Sequence, residues 1–416
     1  MLSRWFESTF DALREPHFRM LWFGTVLAFL AFNMSWIVQS VVAFNLTGKN
    51  SAVGLVWLGM GVANITIAPF GGVIADRVSK RRLLLIGQSA VGATFLAVGI
   101  LILTDRITIA LLVLSTFIMG AVFAFIGPAR QAWVGQLLPP EKIPNGVALT
   151  QVGMTATRVI GPMLAGVLIA LPFVRPGGTY IFMGALFIVV VATLAMLPNT
   201  PGIAREQRKP VLYELGRGLG HIQERPRLRL LALTFIGVTV TGFSYQVVFP
   251  GLLEHGLGRD PDQISILYTI SAASGLLVTV LIAGLAGSRF AWSLMLWGGV
   301  LLGLCIVLSG LAPNFLLLAL LMVPMGIGMS AFQMLNNALV MRESDPAYFG
   351  RVMSLTMMAW GFNSLAGFPF GALADAIGER PVLVIMGGLA IAVAISAASV
   401  HLTLARKQPV AAPITV

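Results

Sequence analysis

The stretch GGVIADRVSKRR, Gly71 to Arg82, decides how this chain is read. An apolar run from Ala52 to Ala75 stops there, and another, Leu83 to Leu103, begins. Between them stand one acid, Asp76, and four bases, Arg77, Lys80, Arg81 and Arg82. A membrane-spanning helix takes ~20 mostly apolar residues. Two such helices are therefore joined by a very short basic turn. Short Lys/Arg-rich loops mark the cytoplasmic side of a membrane protein, and Gly71 and Gly72 let neighbouring helices come close.

Composition agrees. The 416 residues are 57% hydrophobic and 10% charged, whereas soluble domains run near ~25% charged. The chain reads as an all-α integral membrane protein. A net charge of +11 would suit nucleic acid. The bases, however, lie in loops between apolar runs, where membrane topology accounts for them, so no nucleic-acid partner is expected. The one cysteine, Cys305, sits in an apolar run and allows no disulfide framework. The histidines, His17, His221, His255 and His401, are scattered, and no Ser/His/Asp or metal-ligand constellation is spelled. Neither enzyme chemistry nor a cofactor or metal is expected. Met1 to Arg19 mixes charged and aromatic residues. It fits a short amphipathic helix on the membrane surface or a solvated leader.

Twelve apolar runs can be drawn, at roughly 20–45, 52–75, 83–104, 107–132, 146–171, 179–198, 229–253, 263–286, 290–312, 314–341, 349–374 and 381–404. The longest polar interruption, Asn199 to Leu228, splits them six and six. The expected organisation is an N-terminal segment 1–19, a first bundle 20–198, a basic linker 199–228, a second bundle 229–404 and a tail 405–416. With the N-terminus inside, inward segments carry 21 Lys/Arg and outward loops five: Lys49, Arg106, Arg175, Arg259 and Arg380. That bias puts both termini in the cytoplasm and the chain in a plasma membrane, as in a bacterial inner membrane. The halves also resemble each other. MGAVFAFIGPARQAWV from Met119 runs parallel to MGIGMSAFQMLNNALV from Met325, and SAVGLVWLGMGVANI from Ser51 can be laid on DQISILYTISAASGL from Asp262. GALADAIGERP, Gly371 to Pro381, looks like a copy of the opening stretch but falls at the wrong offset. Asp375 reads as a helix-end carboxylate rather than a gate.

Polar groups within the runs are few. Asn33, Gln39, Asn64, Gln131, Gln151, Gln246, Gln333, Asn336, Asn337 and Asn363 fall in spans 1, 2, 4, 5, 7, 10 and 11, while span 3 has only Gln88 and spans 6, 8, 9 and 12 have no amide beyond their first residue. Amides are costly against lipid and mark a bundle interior or a wet cavity. Arg158 lies twelve residues past Gly146, about 18 Å along the fifth span. At that depth an Arg costs roughly 2.5–3.5 kcal/mol, and no Asp or Glu stands inside a span to neutralise it. Either it bonds carbonyls and amides of neighbouring helices, or it faces water and attracts an anionic group.

The pattern Gly-x-x-x-Asp-Arg-x-x-x-Arg-Arg in the opening stretch resembles the loop signature of the major facilitator superfamily, with Ser79 in place of a usual glycine. HFRMLWFG, FNLTG, ADRVSKRR, GPARQAW, NGVALTQ and RVIGPMLAG follow the order found in its enterobactin-exporter and macrolide-efflux branch. The resemblance implies twelve transmembrane helices in two six-helix bundles, with a small-molecule site between them that opens to one side at a time. It implies a gating latch of Asp76 with Arg130, beside Gly72, Arg77 and Arg81. It also implies a fifth span shaped by Gly161, Pro162 and Gly166. A coupled proton follows from the resemblance, although no carboxylate lies at mid-membrane. Asn33, Gln39, Tyr245, Asn336 and Asn363 are the candidate polar contacts, Phe123, Phe125 and Trp360 the apolar walls, and Arg158 the charged contact. The expected function is a monomeric secondary transporter exporting a small amphipathic compound, such as a drug, siderophore or metabolite. The alternatives are a facilitator or importer of a small metabolite, or a lipid flippase. A receptor or scaffold built on the fold ranks behind these, given the short tail Ala405 to Val416.

Overall fold

The computed structural model describes residues 10–67, 79–199, 211–345 and 348–407. Gly72, Asp76 and Arg77, and with them the implied Asp76–Arg130 latch, lie outside these residues.

Six helices come first: α1 (Pro16–Thr47), α2 (Asn50–Thr66), α3 (Lys80–Leu103), α4 (Ile109–Leu137), α5 (Ile143–Ala170) and α6 (Arg175–Ala195). A shorter α7 (Val211–Glu224) lies in the linker. Six more follow: α8 (Pro226–Gly256), α9 (Ile264–Ile282), α10 (Ala291–Leu311), α11 (Phe315–Glu343), α12 (Phe349–Ile377) and α13 (Glu379–Lys407). Their boundaries are written locally. Thr108 and Asn314 cap α4 and α11 through the N–H groups of Leu111 and Leu317. Ser79, where the family pattern has glycine, caps α3 by accepting from Arg82 N. Gly48, at φ 65°, ends α1 with its N–H on Phe44 O. Within α8 two segments, Thr239–Phe243 and Leu252–Gly256, widen to π-helix.

The helices form two bundles. In the first, α1 packs on α5 and α6, α3 on α4 and α6, and α2 on α4. In the second, α10 packs on α11 and α13, α9 on α11, and α8 on α13. Two seams join them, α2 with α12 and α5 with α9. The pairings map onto each other when the second bundle is laid on the first, as parallel repeats require. The α2–α12 seam is lined with glycines. A methyl group on Gly54 would strike the Gly367 carbonyl, and one on Gly61 would meet Ser364 at 2.8 Å. Large apolar side chains such as Ile86, Val280, Trp297 and Leu402 stand exposed on the outside, as a lipid-facing surface does.

Of the N-terminal segment 1–19, residues 1–9 lie outside the described ones and Pro16 opens α1. Asp11–Arg14 is a single 3-10 turn. Ala12 N donates to Asn145 Oδ1 at 3.0 Å, and Lys142 Nζ pairs with Glu15 at 2.9 Å, fastening the turn to the start of α5. At the other end of the linker, α7 rides on the second bundle. Arg225 binds Asp345 at 2.6 Å, and the His221 and Tyr348 rings stack 4.2 Å apart.

Candidate functional site

The bundles meet most tightly at the face remote from the two termini. There the α2 N-terminus, belonging to the first bundle, is held by the second. Asn50 N and Ser51 N donate to the two carboxylate oxygens of Asp375, at 2.7 and 3.0 Å. The Asn50 side chain is fully buried. It donates to Glu379 Oε1 at 2.9 Å and accepts from Gly251 N at 3.2 Å. His255 Nδ1 lies 2.8 Å from the same Glu379 oxygen, and its ring is 5.6 Å from that of Phe44. Arg380 donates to the carbonyls of Gly256, Gly310 and Ala312, fixing the surrounding loops. Asp375 thus ends α12 as the sequence suggests, and it also binds across the seam.

Toward the termini the described α5 face that meets the second bundle turns from buried to exposed. Successive helical residues are ~100° apart. One face of α5 packs on α1: Gly153 against Val26 and Trp22, Gly161 against Asn33. Asn33 Nδ2 donates to Thr157 Oγ1 at 3.1 Å and to Phe29 O at 2.9 Å. About 100° round from Thr157 runs a second face, Val147, Gln151, Arg158, Pro162, Ala165 and Ile169. Its first three members are exposed and its last three buried. The change comes where α5 begins to pack on α9, with Gly166 against Ser265. The lipid stripe, Val152, Ile160, Met163 and Val167, lies on the other side of the helix. Arg158 therefore points into a cleft between the bundles, at its apex. It stands about 22 Å from Ile143 and about 18 Å from Ala170 along the helix. Among the described residues it forms no ion pair or hydrogen bond.

Helix α4 lays its buried face on α2 of the same bundle, Thr116 Oγ1 donating to Val56 O at 2.6 Å and Gly120 lying against Ala63. Leu112, Thr116 and Gly120 are buried toward the remote face, while Phe123, on the same side and nearer the termini, is 37% exposed. Phe123 stacks on Phe32 at 4.9 Å and meets Phe29 edge-on at 5.7 Å. Trp36 continues the wall, 5.9 Å from Phe32 and 4.6 Å from Trp57. Behind the wall, a cavity of about 30 Å³ is lined by Phe29, Phe32, Gln88, Arg130 and Phe187 among others. Arg130 is buried there, its guanidinium 5.7 Å from the Phe29 ring and its Nε without a partner among the described residues.

Of the residues nominated from sequence, Asn33 bonds Thr157, next to Arg158 in α5, and Phe123 stacks on Phe32, next to Asn33 in α1. Phe125 stands apart: it lies ~200° round α4 from Phe123, on the side of exposed Leu114. Gln39 is buried in α1. Tyr245 is buried against Phe249, with ring centroids 4.7 Å apart. Asn363 accepts from Ser244 Oγ at 2.9 Å and so ties α12 to α8. Trp360 packs edge-on to Phe243 at 5.4 Å. Asn336, the repeat counterpart of Arg130, is fully buried, and neither amide atom has a partner among the described residues. Tyr245, Asn336 and Asn363 are thus buried within the second bundle, and Trp360 is half-buried. Among the gating residues, Gly161 and Pro162 are buried in α5, Gly166 sits at the α5–α9 seam, and Arg81 donates to the Ala195 carbonyl. Sequence reasoning missed Asn50, Glu379 and His255. Their one signal was a polar cluster at the ends of apolar runs.

Comparison with known proteins agrees with this architecture. Macrolide efflux protein A of Streptococcus pyogenes is 24% identical over 388 residues, covering 91% of this chain and 94% of that protein. An enterobactin exporter of Escherichia coli O81 is 24% identical over 368 residues, covering 86% and 84%. In structure, a mutant of the nucleoside transporter NupG superposes with a TM-score of 0.76 at 17% identity, covering 92% of this chain and 99% of that one. The profile of the Major Facilitator Superfamily matches residues 21–367, and the chain belongs to that superfamily of membrane transporters.

Proposed function

We propose that the chain exports a small amphipathic compound across the plasma membrane by alternating access, as a monomer and without catalysing a reaction. The observation that carries this reading is the α5 face that turns from exposed to buried just beyond Arg158. A cleft with an apolar wall, a few polar groups and one closed end is a transport site caught open to one side. The excess of Lys/Arg in the segments on the termini side makes that side cytoplasmic, so the cleft faces inward, where an exporter loads. The likeness to proteins named for macrolide efflux and enterobactin export favours export over import.

Proton antiport is the coupling proposed with it. Protons are usually relayed by Asp, Glu or His, and the carboxylates of the described helices stand at their ends. Coupling then runs through end groups or through the charge of the cargo. The test uses proteoliposomes loaded with a fluorescent amphipathic dye. An imposed pH gradient is expected to drive dye movement in protein-containing vesicles alone. Flux equal to that of empty liposomes refutes transport, and flux that ignores the gradient refutes antiport.

A further inference from the structure

The cleft has a sign. Away from helix ends, the charged residues of the described spans are Arg130 and Arg158, both basic. Arg130 is buried behind the Phe29 ring, off the cleft. Arg158 is exposed at the cleft apex and has no ion pair or hydrogen bond among the described residues. An Arg at bilayer depth is costly and tends to mark a substrate path or a partner. Here the described protein supplies no partner, so the compensating charge is left to the cargo.

From this we infer that the transported compound is an amphipathic anion, its carboxylate, phosphate or sulfonate seated on the Arg158 guanidinium and its apolar body laid against Phe123 and Phe32. The inference rests on the transport reading above and narrows it. Guanidinium is a planar fork that takes such groups through two parallel hydrogen bonds. Asn33 is placed to help. It spends its Nδ2 hydrogens on Phe29 O and Thr157 Oγ1, which fixes its orientation and leaves Oδ1 to accept from a hydroxyl or N–H on the cargo. The stacked Phe32–Phe123 pair offers a flat face of the kind that holds aromatic or lipophilic bodies. A cation entering the same cleft would meet Arg158 with no carboxylate beside it among the described span residues.

The experiment compares two probes with one body, a naphthalene carboxylate and its primary amide, on the purified full-length protein. Binding is read by quenching of tryptophan fluorescence, and transport by accumulation in everted membrane vesicles. Wild type is expected to bind the carboxylate at least tenfold more tightly than the amide. Arg158→Gln should abolish that preference. Arg158→Lys should keep its direction with weaker affinity, because ammonium is a point charge rather than a fork. Gel filtration and thermal unfolding show that both variants fold. If wild type binds the two probes alike, or binds neither, or if Arg158→Gln keeps the preference, the inference is overturned. The transport reading fails separately: binding with a charge preference but no accumulation sinks transport and leaves the anion site standing. Accumulation of both probes alike does the reverse.

Discussion

The carboxylate of Asp375, at the end of α12, holds the backbone N–H groups of Asn50 and Ser51 at the start of α2, 2.7 and 3.0 Å away. A helix N-terminus leaves N–H groups unsatisfied and carries partial positive charge. Usually the preceding residue supplies the cap, but Lys49 makes no side-chain cap bond. The opposite bundle provides it instead. The cap exists while the remote face is closed, and separating the bundles there removes it. Asp375→Ala should therefore favour opening by ~1 kcal/mol, the usual worth of an N-cap, or about fivefold in the closed-to-open ratio. Spin labels at Asn45 and Arg259, which line a depression at that face from the two bundles, would report it. The sole native cysteine, Cys305, is buried and leaves the labelling clean. A distance distribution identical to wild type would show that the cap does not hold the bundles.

Asn50 itself should matter more than Asp375. Its buried amide serves Glu379 and Gly251 together. Asn50→Ala removes the acceptor of the Gly251 N–H and one of the two partners of Glu379 Oε1, which keeps His255, in a closed interface, a loss of ~1–3 kcal/mol. The thermal midpoint in detergent should fall further than for Asp375→Asn. The double variant should fall by less than the sum, because both bonds anchor the same first turn of α2. An Asn50→Ala protein that melts with wild type contradicts this.

How much of this was written in the sequence depends on the scale of the question. The six-and-six division and the position of Arg158 along the fifth span come from local patterns. Direction does not. Counting residues places Arg158 at mid-helix, but which way it points depends on where α5 meets α9. Counting amides sorts helices and leaves the face open. Hence Tyr245, Asn336 and Asn363 sit on the chosen helices yet turn into the second bundle, and Phe125 turns away from the wall beside Phe123. The Asn50–Asp375 contact joins residues 325 apart in the chain, and Lys49-Asn50 reads locally as an ordinary loop. The described part of the N-terminal segment shows the same limit. Its composition suits a membrane surface or a solvated leader, and does not announce that Glu15 and Ala12 find Lys142 and Asn145 across the fold.

The glycine seam sets a steric condition on closure. A Cβ on Gly54 would overlap the Gly367 carbonyl and lie 2.6 Å from Phe368 Cα, and backbone cannot swing aside as a side chain does. Gly54→Ala should oppose the closed state by ~1–3 kcal/mol, the range for overpacked cores. The initial rate of export should drop accordingly while expression persists. Gly127→Ala is the control, since nothing lies within 4 Å of its added methyl. A Gly54→Ala rate equal to that of the control would mean that the seam gives way more easily than its geometry indicates.

The linker helix tests whether magnitudes rank contacts correctly. Among the contacts that hold α7 and the Arg225 that follows it to the second bundle, two can be ranked. The Arg225–Asp345 pair is short at 2.6 Å, but its side chains are 42% and 49% exposed. Exposed pairs contribute only ~0.2–1 kcal/mol. The His221–Tyr348 stack is nearly parallel at 4.2 Å, and His221 is buried. Aromatic pairs add ~0.5–1.5 kcal/mol beyond the area they bury, and Tyr348 also accepts a hydrogen bond from Arg217 at 2.6 Å. Tyr348→Ala should thus release α7 more than Arg225→Ala does, although the ion pair is the more conspicuous contact. Limited trypsin digestion reads this as the rate of cleavage after Arg217, a site both variants retain. Faster cutting in Arg225→Ala than in Tyr348→Ala would reverse the ranking and make the ion pair the main tether.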